Sequence, residues 1–302
     1  MFATGKAMAS FSRLIRFLPR GEGGGRGGVP LIGEPCDRNQ DVGLASYHGD
    51  KIDVEVFSGT TILAPGQKIG QTRQVQCLLS PLGASEVGTI RCIGLNYMTH
   101  AKEVDLPIPD VPVLFMKPST SLADPFPAPV VIPKSFVSDD AADYESEVAL
   151  VLGKDCKNVS ESEALDYLLG ITASNDISSR KAQFAQSQWC YSKSFDGACP
   201  IGPALLHISQ ISRLGEILIQ GKHNGETVQK STLDDLIFSI PKLISFLSQG
   251  TTLPAGTVIL TGTPAGVGWT KSPRKLLRDG VEFRVHVSHG VGTLINKIQA
   301  ES

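Results

Sequence analysis

Ten consecutive residues, Asp143-Tyr144-Glu145-Ser146-Glu147-Val148-Ala149-Leu150-Val151-Leu152, place two alternating glutamates at the head of an apolar run. Such a run, short and rich in aliphatic residues, reads as a buried strand. Side chains two apart on a strand share a face, so Glu145 and Glu147 project together. Two carboxylates carried toward a core lose hydration and repel each other, and they need a metal ion or a lysine between them. A hard dication, Mg²⁺ or Mn²⁺, takes oxygen ligands and answers that need. The competing reading is a pair of solvated charges on an edge strand. The apolar continuation through Leu150 and Leu152 weighs against it.

The 302 residues suffice for one large or two unequal domains, and 41% hydrophobic with 19% charged residues is the balance of a globular chain. A net charge of -2 without a basic stripe argues against nucleic acid and anionic membranes as partners. No apolar run approaches the roughly 20 residues that cross a bilayer. Six cysteines, at 36, 77, 92, 156, 190 and 199, form no CxxC pair and read as free thiols of a reducing compartment, the cytoplasm. Lys6, Arg13, Arg16, Arg20 and Arg26 against Glu22 alone leave a mitochondrial presequence open. The alternative there is a first strand at 12–18 followed by a glycine-rich turn at 21–28.

Residues 31–87 carry short β-like stretches, such as 52–57, between Gly, Pro and Asn signals, which reads as a small β-rich N-terminal domain over 1–88. Longer apolar strands at 89–94 and 111–116 open a larger domain over 89–302. Ser160 with Glu163 makes a capping box and predicts a short helix over 160–170. A second helix is expected from Asp234 or Pro241 through Leu243, Ile244 and Leu247 to Gly250. A buried strand at 257–260 enters the loop 261–268, which lacks both the P-loop lysine and the dinucleotide fingerprint and reads as a tight loop closing a pocket. Strands dominate, so the class is α+β, mainly β.

Three further clusters carry chemistry. Asp176 lies where a strand becomes a helix, and Asp176, Arg180 and Gln183 at i, i+4 and i+7 would line one helical face. An N-cap with a helical ion-pair partner explains the first two equally well. Added to Glu145 and Glu147, Asp176 completes a three-carboxylate set suited to Mg²⁺ or Mn²⁺, whereas neither cysteines nor histidines show zinc spacing. His100 and Glu103 meet on one helical turn, where a carboxylate fixes the imidazole tautomer for proton abstraction, although a surface pair has the same spacing. Lys193, set among Trp189, Tyr191 and Phe195, is either a snorkelling lysine or an oxyanion-stabilising ammonium, and Lys117 is a second candidate for that task.

Together these segments resemble the fumarylacetoacetate hydrolase family: Gly94-Leu95-Asn96-Tyr97 with His100 and Glu103, Phe115-Met116-Lys117-Pro118, Glu145-x-Glu147, Asn175-Asp176 with Arg180 and Gln183, Lys193-Ser194-Phe195-Asp196, and Thr261-Gly262-Thr263-Pro264. The resemblance spans about residues 89 to 298. It implies a mixed β-sandwich roll and a homodimer, with Mg²⁺ or Mn²⁺ on Glu145, Glu147 and Asp176. It also implies His100 and Glu103 as a water-activating dyad on a mobile lid, Lys193 at the oxyanion, and Arg180, Gln183 and Thr263 at the substrate. The stretch 91–98 lacks the further acidic ligand of fumarylacetoacetases proper, which points to the smaller branch of acylpyruvases, oxaloacetate decarboxylases and tautomerases.

The leading expectation is metal-dependent hydrolysis of the C–C bond in a β-diketo acid of the acylpyruvate kind. Its rivals are oxaloacetate decarboxylation or tautomerisation, a related lyase or dehydratase on the same metal site, and a non-catalytic homologue that binds a small acid.

Overall fold

The computed structural model describes residues 10–21 and 28–302. Most of the glycine-rich turn expected at 21–28, and the first third of the basic stretch, lie outside the described residues. The N-terminal strands are β1 (Arg13–Pro19), β2 (Leu31–Pro35), β3 (Asp53–Phe57) and β4 (Lys68–Leu79), with helix α1 (Val42–His48) between β2 and β3. The strand expected at 12–18 is β1. Helix α1 was not anticipated; Asp41 caps it through the amides of Gly43 and Leu44, and the same carboxylate reaches Thr293.

The remaining chain begins with β5 (Thr89–Gly94), α2 (Met98–Glu103), β6 (Val113–Pro118), β7 (Leu122–Ala123), β8 (Pro129–Ile132), α3 (Lys134–Val137) and β9 (Ala142–Asp143). It continues with β10 (Ser146–Leu152), β11 (Leu168–Asn175), β12 (Ser178–Ser179), α4 (Arg180–Phe184), α5 (Cys190–Lys193) and β13 (Cys199–His207). It ends with β14 (Leu218–His223), β15 (Glu226–Thr232), α6 (Ile240–Ser248), β16 (Val258–Leu260), β17 (Glu282–Val287) and β18 (Gly292–Ala300).

One large sheet runs in the order β2-β3-β4-β1-β13-β11-β10-β16-β5-β6, with β7 on β13, and a five-stranded sheet runs β15-β14-β17-β18-β8. The N-terminal strands join the large sheet directly, Arg13 opposite Leu206 and Leu14 opposite Leu205. Strand β10 sits between β11 and β16 and is buried at every position, so the edge-strand alternative for its glutamates fails. Its residues feed two cores. Val148, Leu150 and Leu152 pack with Ile219, Val285 and Leu294 of the second sheet, while Ala149 and Val151 pack with Ile90, Cys92 and Leu260 on the opposite face. A strand covered on both faces is apolar throughout, which is why the run carries no alternation after Glu147.

The helix expected over 160–170 is corrected. Ser160 and Glu163 do close the capping interaction, the hydroxyl donating to Glu163 Oε2 at 2.5 Å, but only a 3-10 turn, Ala164–Asp166, follows. From Leu168 onward the chain is drawn into β11, whose two ladders against β10 and β13 outweigh local helix preference. The second expected helix is α6, capped by Ser239 and ended before Gly250. No helix among the described residues is long and apolar enough to cross a membrane, and no disulfide joins any of the six cysteines.

Candidate active site

The register of β10 against β11 pairs Ser146 with Asn175 and Glu147 with Ser174. That brings Asp176, just past the end of β11, beside Glu145, to whose carbonyl its amide donates at 2.9 Å. Oxygens of Glu145, Glu147 and Asp176 all lie within 4.8 Å of one another, and all three residues are buried. The helical face expected for Asp176, Arg180 and Gln183 does not form: α4 starts at Arg180, leaving Asp176 on the connecting turn. Arg180 pairs instead with Asp143 (Nε to Oδ2, 2.8 Å) and Glu145 (Nη1 to Oε1, 2.5 Å), and its Nη1 also donates to Gln183 at 3.0 Å.

Cations are interleaved with these acids. Lys193 Nζ bridges Glu145 Oε2 and Asp176 Oδ2, each at 2.9 Å, and lies 4.8 Å from the Phe115 ring centre. It is not a snorkelling lysine: its ammonium is buried and held between two carboxylates. Lys117, the second candidate for an oxyanion-stabilising ammonium and so for a contact to substrate, is corrected. It is fully buried, and its Nζ lies 2.6 Å from Asp176 Oδ1 and donates to the carbonyls of Ala198 and Ile177, so it anchors Asp176 from behind.

Electrostatics follow from this wiring. Burial penalises the Glu145 carboxylate, but Lys193 and Arg180 more than offset it and hold its pKa down at about 2. Glu147 has the opposite fate. Burial, then the charges of Asp176 and Glu145, push it well above the ordinary carboxylate range, although the Gly262 amide donates to it at 2.6 Å. Among the described residues no side-chain cation stands within ion-pair distance of Glu147. One carboxylate of the set is thus left short of positive charge, which with an all-oxygen donor set fits a hard dication. An ion bound there would share Glu145 and Asp176 with the Lys193 ammonium.

His100 and Glu103 lie on α2, His100 Nδ1 3.0 Å from Glu103 Oε2. Burial alone would raise the Glu103 carboxyl, yet His100, the Gly266 amide and the Thr270 hydroxyl keep it below its ordinary value. The loop 261–268 therefore does close over the site, holding the dyad's carboxylate. Thr263 donates to the Ser146 carbonyl and accepts from Gln229 Nε2 at 2.8 Å.

Two buried residues escaped the sequence reading. Asp143 accepts from Arg180 and from the amides of Gly268 and Trp269, tying the guanidinium to the loop. Gln229 joins the Ser146 amide to Thr263 and the Pro264 carbonyl. Asp143 heads the same alternating acidic run and was visible there; nothing near Gln229 marks it.

His100, Glu145, Arg180, Gln183, Lys193 and Thr263 line one cavity of about 950 Å³, while Glu147 and Asp176 lie beneath its floor. The arrangement offers a desolvated anion- and cation-rich floor with an imidazole–carboxylate pair at the same opening.

Residues 89–299 match the family described as fumarylacetoacetate (FAA) hydrolase C-terminal. The chain is 44% identical over 300 residues to caffeoylpyruvate hydrolase of Neonothopanus nambi, an alignment covering 97% of this chain and 95% of that protein. It is 39% identical over 211 residues to oxaloacetate tautomerase YisK of Bacillus subtilis (strain 168), 69% of either chain. Among solved structures, 2-hydroxyhepta-2,4-diene-1,7-dioate isomerase from Mycobacterium marinum superposes with a TM-score of 0.76 at 25% identity, covering 96% of this chain and 99% of that one. By this match and the site it spans, the chain belongs to the fumarylacetoacetate hydrolase family.

Proposed function

We propose that this protein hydrolyses the C–C bond of an acylpyruvate, R–CO–CH₂–CO–COO⁻, to the acid R–COO⁻ and pyruvate. The observation that carries this reading is that His100, held by Glu103, lines the same cavity as Glu145, Arg180 and Lys193. The likeness to caffeoylpyruvate hydrolase supports it. Glu145, Glu147 and Asp176 would hold a divalent ion, Mg²⁺ or Mn²⁺, which would supply positive charge to the 2-oxo acid group.

The residues of the chain account for the rest. Glu103 holds His100 by Nδ1, leaving Nε2 to take a proton from water as the water oxygen adds to the acyl carbonyl carbon. The bond from that carbon to the methylene then breaks, and its electron pair moves into the pyruvate enolate. The imidazolium returns its proton to the methylene carbon, and the carboxylic acid product releases the other. Arg180 Nη2 is buried without an acceptor in a residue lining the cavity, a donor suited to a substrate oxygen. Lys193 lies within the same charge network and stabilises the developing oxyanion, and such preorganised contacts contribute about 3 to 4 kcal/mol each. Gln183 and Thr263 complete the substrate wall.

Product analysis by NMR, with acetylpyruvate in the presence of Mg²⁺, Mn²⁺ or chelator, tests the reading: acetate and pyruvate in equal amounts are expected with metal and neither with chelator. The likeness to oxaloacetate tautomerase favours one rival, proton transfer on oxaloacetate, which consumes no water. If His100→Ala leaves all turnover on every substrate intact, the hydrolytic reading fails and the rival stands. A homodimer and a cytoplasmic location remain part of the proposal. The apolar residues Leu114 and Met116 exposed on edge strand β6 support the former, and light scattering tests it.

A further inference from the structure

Resting on the acylpyruvate reading, we infer that the R side of the cavity is a specificity bay for an uncharged aryl or aryl-alkenyl group and excludes a tail bearing a second carboxylate. A cavity of about 950 Å³ lies at the upper end of those that hold drug-sized ligands, roughly 300–1,000 Å³. A pyruvyl head with a methyl R would leave most of it unfilled. Beyond the charged floor, its lining is dominated by Leu106, Ile108, Val113, Phe184, Trp189 and Trp269.

The aromatic walls are built features. Trp189 packs closely against the end of β5 because residue 94 is glycine; a Cβ there would come within 2.4 Å of the indole Cζ3. On the same lining Phe184 lies 5.8 Å from Trp269, ring centre to ring centre, and the Asp143 carboxylate holds the Trp269 amide. Phe184, Leu106 and Ile108 are 67%, 54% and 52% exposed, apolar surface that a hydrophobic R group would cover.

Charge points the same way. The basic groups on the lining are His100, Arg180 and Lys193, and each already has a partner in Glu103, in Asp143 and Glu145, or in Glu145 and Asp176. Arg180 Nη2, the donor still open, serves the pyruvyl end under this reading. Arg274, which is not on the lining, is committed to the Trp269 ring, its guanidinium carbon 3.5 Å from the ring centre, and the remaining charged residue on the lining, Asp110, would repel a distal carboxylate.

The test uses three substrates on the metal-loaded enzyme: acetylpyruvate, cinnamoylpyruvate, and an acylpyruvate of similar length ending in a carboxylate. Cinnamoylpyruvate should exceed both others in kcat/KM by at least about tenfold, since a filled apolar pocket discriminates by that order. In Trp189→Ala and Trp269→Ala the cinnamoyl-to-acetyl ratio should fall about tenfold, and in Asp110→Lys the diacid-to-cinnamoyl ratio should rise. Ratios taken within each variant cancel any loss of folded enzyme. Equal rates on acetylpyruvate and cinnamoylpyruvate, or preference for the diacid, would overturn the inference and leave the hydrolase reading standing. If no acylpyruvate is cleaved, the hydrolase reading falls while the bay is judged by binding. The chain's two tryptophans both line the cavity, so quenching of intrinsic fluorescence by cinnamoylpyruvate and not by acetylpyruvate supports the bay, and equal quenching refutes it.

Discussion

The two halves of the proposed machinery are held in different ways. Glu145, Glu147 and Asp176 stand at the ends of two central strands and are buried, Glu145 and Asp176 cross-linked by Lys117, Lys193 and Arg180 and Glu147 held by the Gly262 amide. His100 and Glu103 stand on a six-residue helix whose N-cap residue, Tyr97, makes no side-chain capping bond, and their side chains are 13% and 18% exposed. The floor is positioned by sheet register and by mutual charge. The dyad borrows its position from Gly266 and Thr270 on a distant loop. A floor built this way couples chemistry to stability, whereas a latched helix can change chemistry at little cost to the fold.

The largest effect expected from that contrast is at Glu145. Glu145→Gln leaves Lys193 and Arg180 buried with too little negative charge, and breaking a buried pair from one side costs about 3–5 kcal/mol. Chemical denaturation should show that loss together with loss of turnover; a variant as stable as the parent would break the comparison. His100→Ala should do the reverse, lowering hydrolysis about 10²–10⁴-fold while the denaturation midpoint stays near that of the parent. Coincident large losses in both measurements would place the dyad in the structural class after all.

Metal addition sharpens the floor half. Mg²⁺ or Mn²⁺ at a hundredfold excess over its dissociation constant should stabilise the parent by about 2.7 kcal/mol, seen as a rise in Tm, and Glu147→Gln should remove most of that rise. A carboxylate paired outside the site gives a gauge for both halves. Glu282 is bound by Arg284 at 2.5 Å and Lys297 at 2.8 Å; burial opposes its charge, but those cations hold its pKa at about 2. A carboxyl depressed on folding adds stability above its unfolded value of about 4.3, and that contribution fades as pH falls toward 2. Glu282→Gln should therefore cost about 1–2 kcal/mol at pH 7 and much less near pH 2.5, as urea titrations at the two pH values would reveal. The smallest effect belongs to the latch: Thr270→Val removes one of the bonds to Glu103, worth about 1 kcal/mol, and acetylpyruvate hydrolysis should slow about fivefold.

Those regions were not equally legible. The acidic head and apolar body of 143–152 announce a central strand with paired carboxylates because strand periodicity is local and strict. The His100–Glu103 spacing is likewise local, and α2 bears it out. The 160–170 helix failed because Leu168 and its successors find better partners across β10 and β13 than along their own backbone. A helical pair of Asp176 with Arg180 was the competing reading of that segment; β9, the turn ahead of β10, and α5 instead deliver Asp143, Glu145 and Lys193, and the pairs re-form across elements.

What the linear chain determined, then, is the inventory and its local geometry: which strands are buried, which acids share a face, which imidazole has a carboxylate one turn away. Only the folded sheet decided which cation neutralises which acid, that Lys117 is spent beneath Asp176, and that Gly94 makes room for Trp189 beside the floor. Periodicity acts over a few residues, while Coulomb pairing and close packing depend on distances that exist only after strands far apart in sequence have been laid side by side.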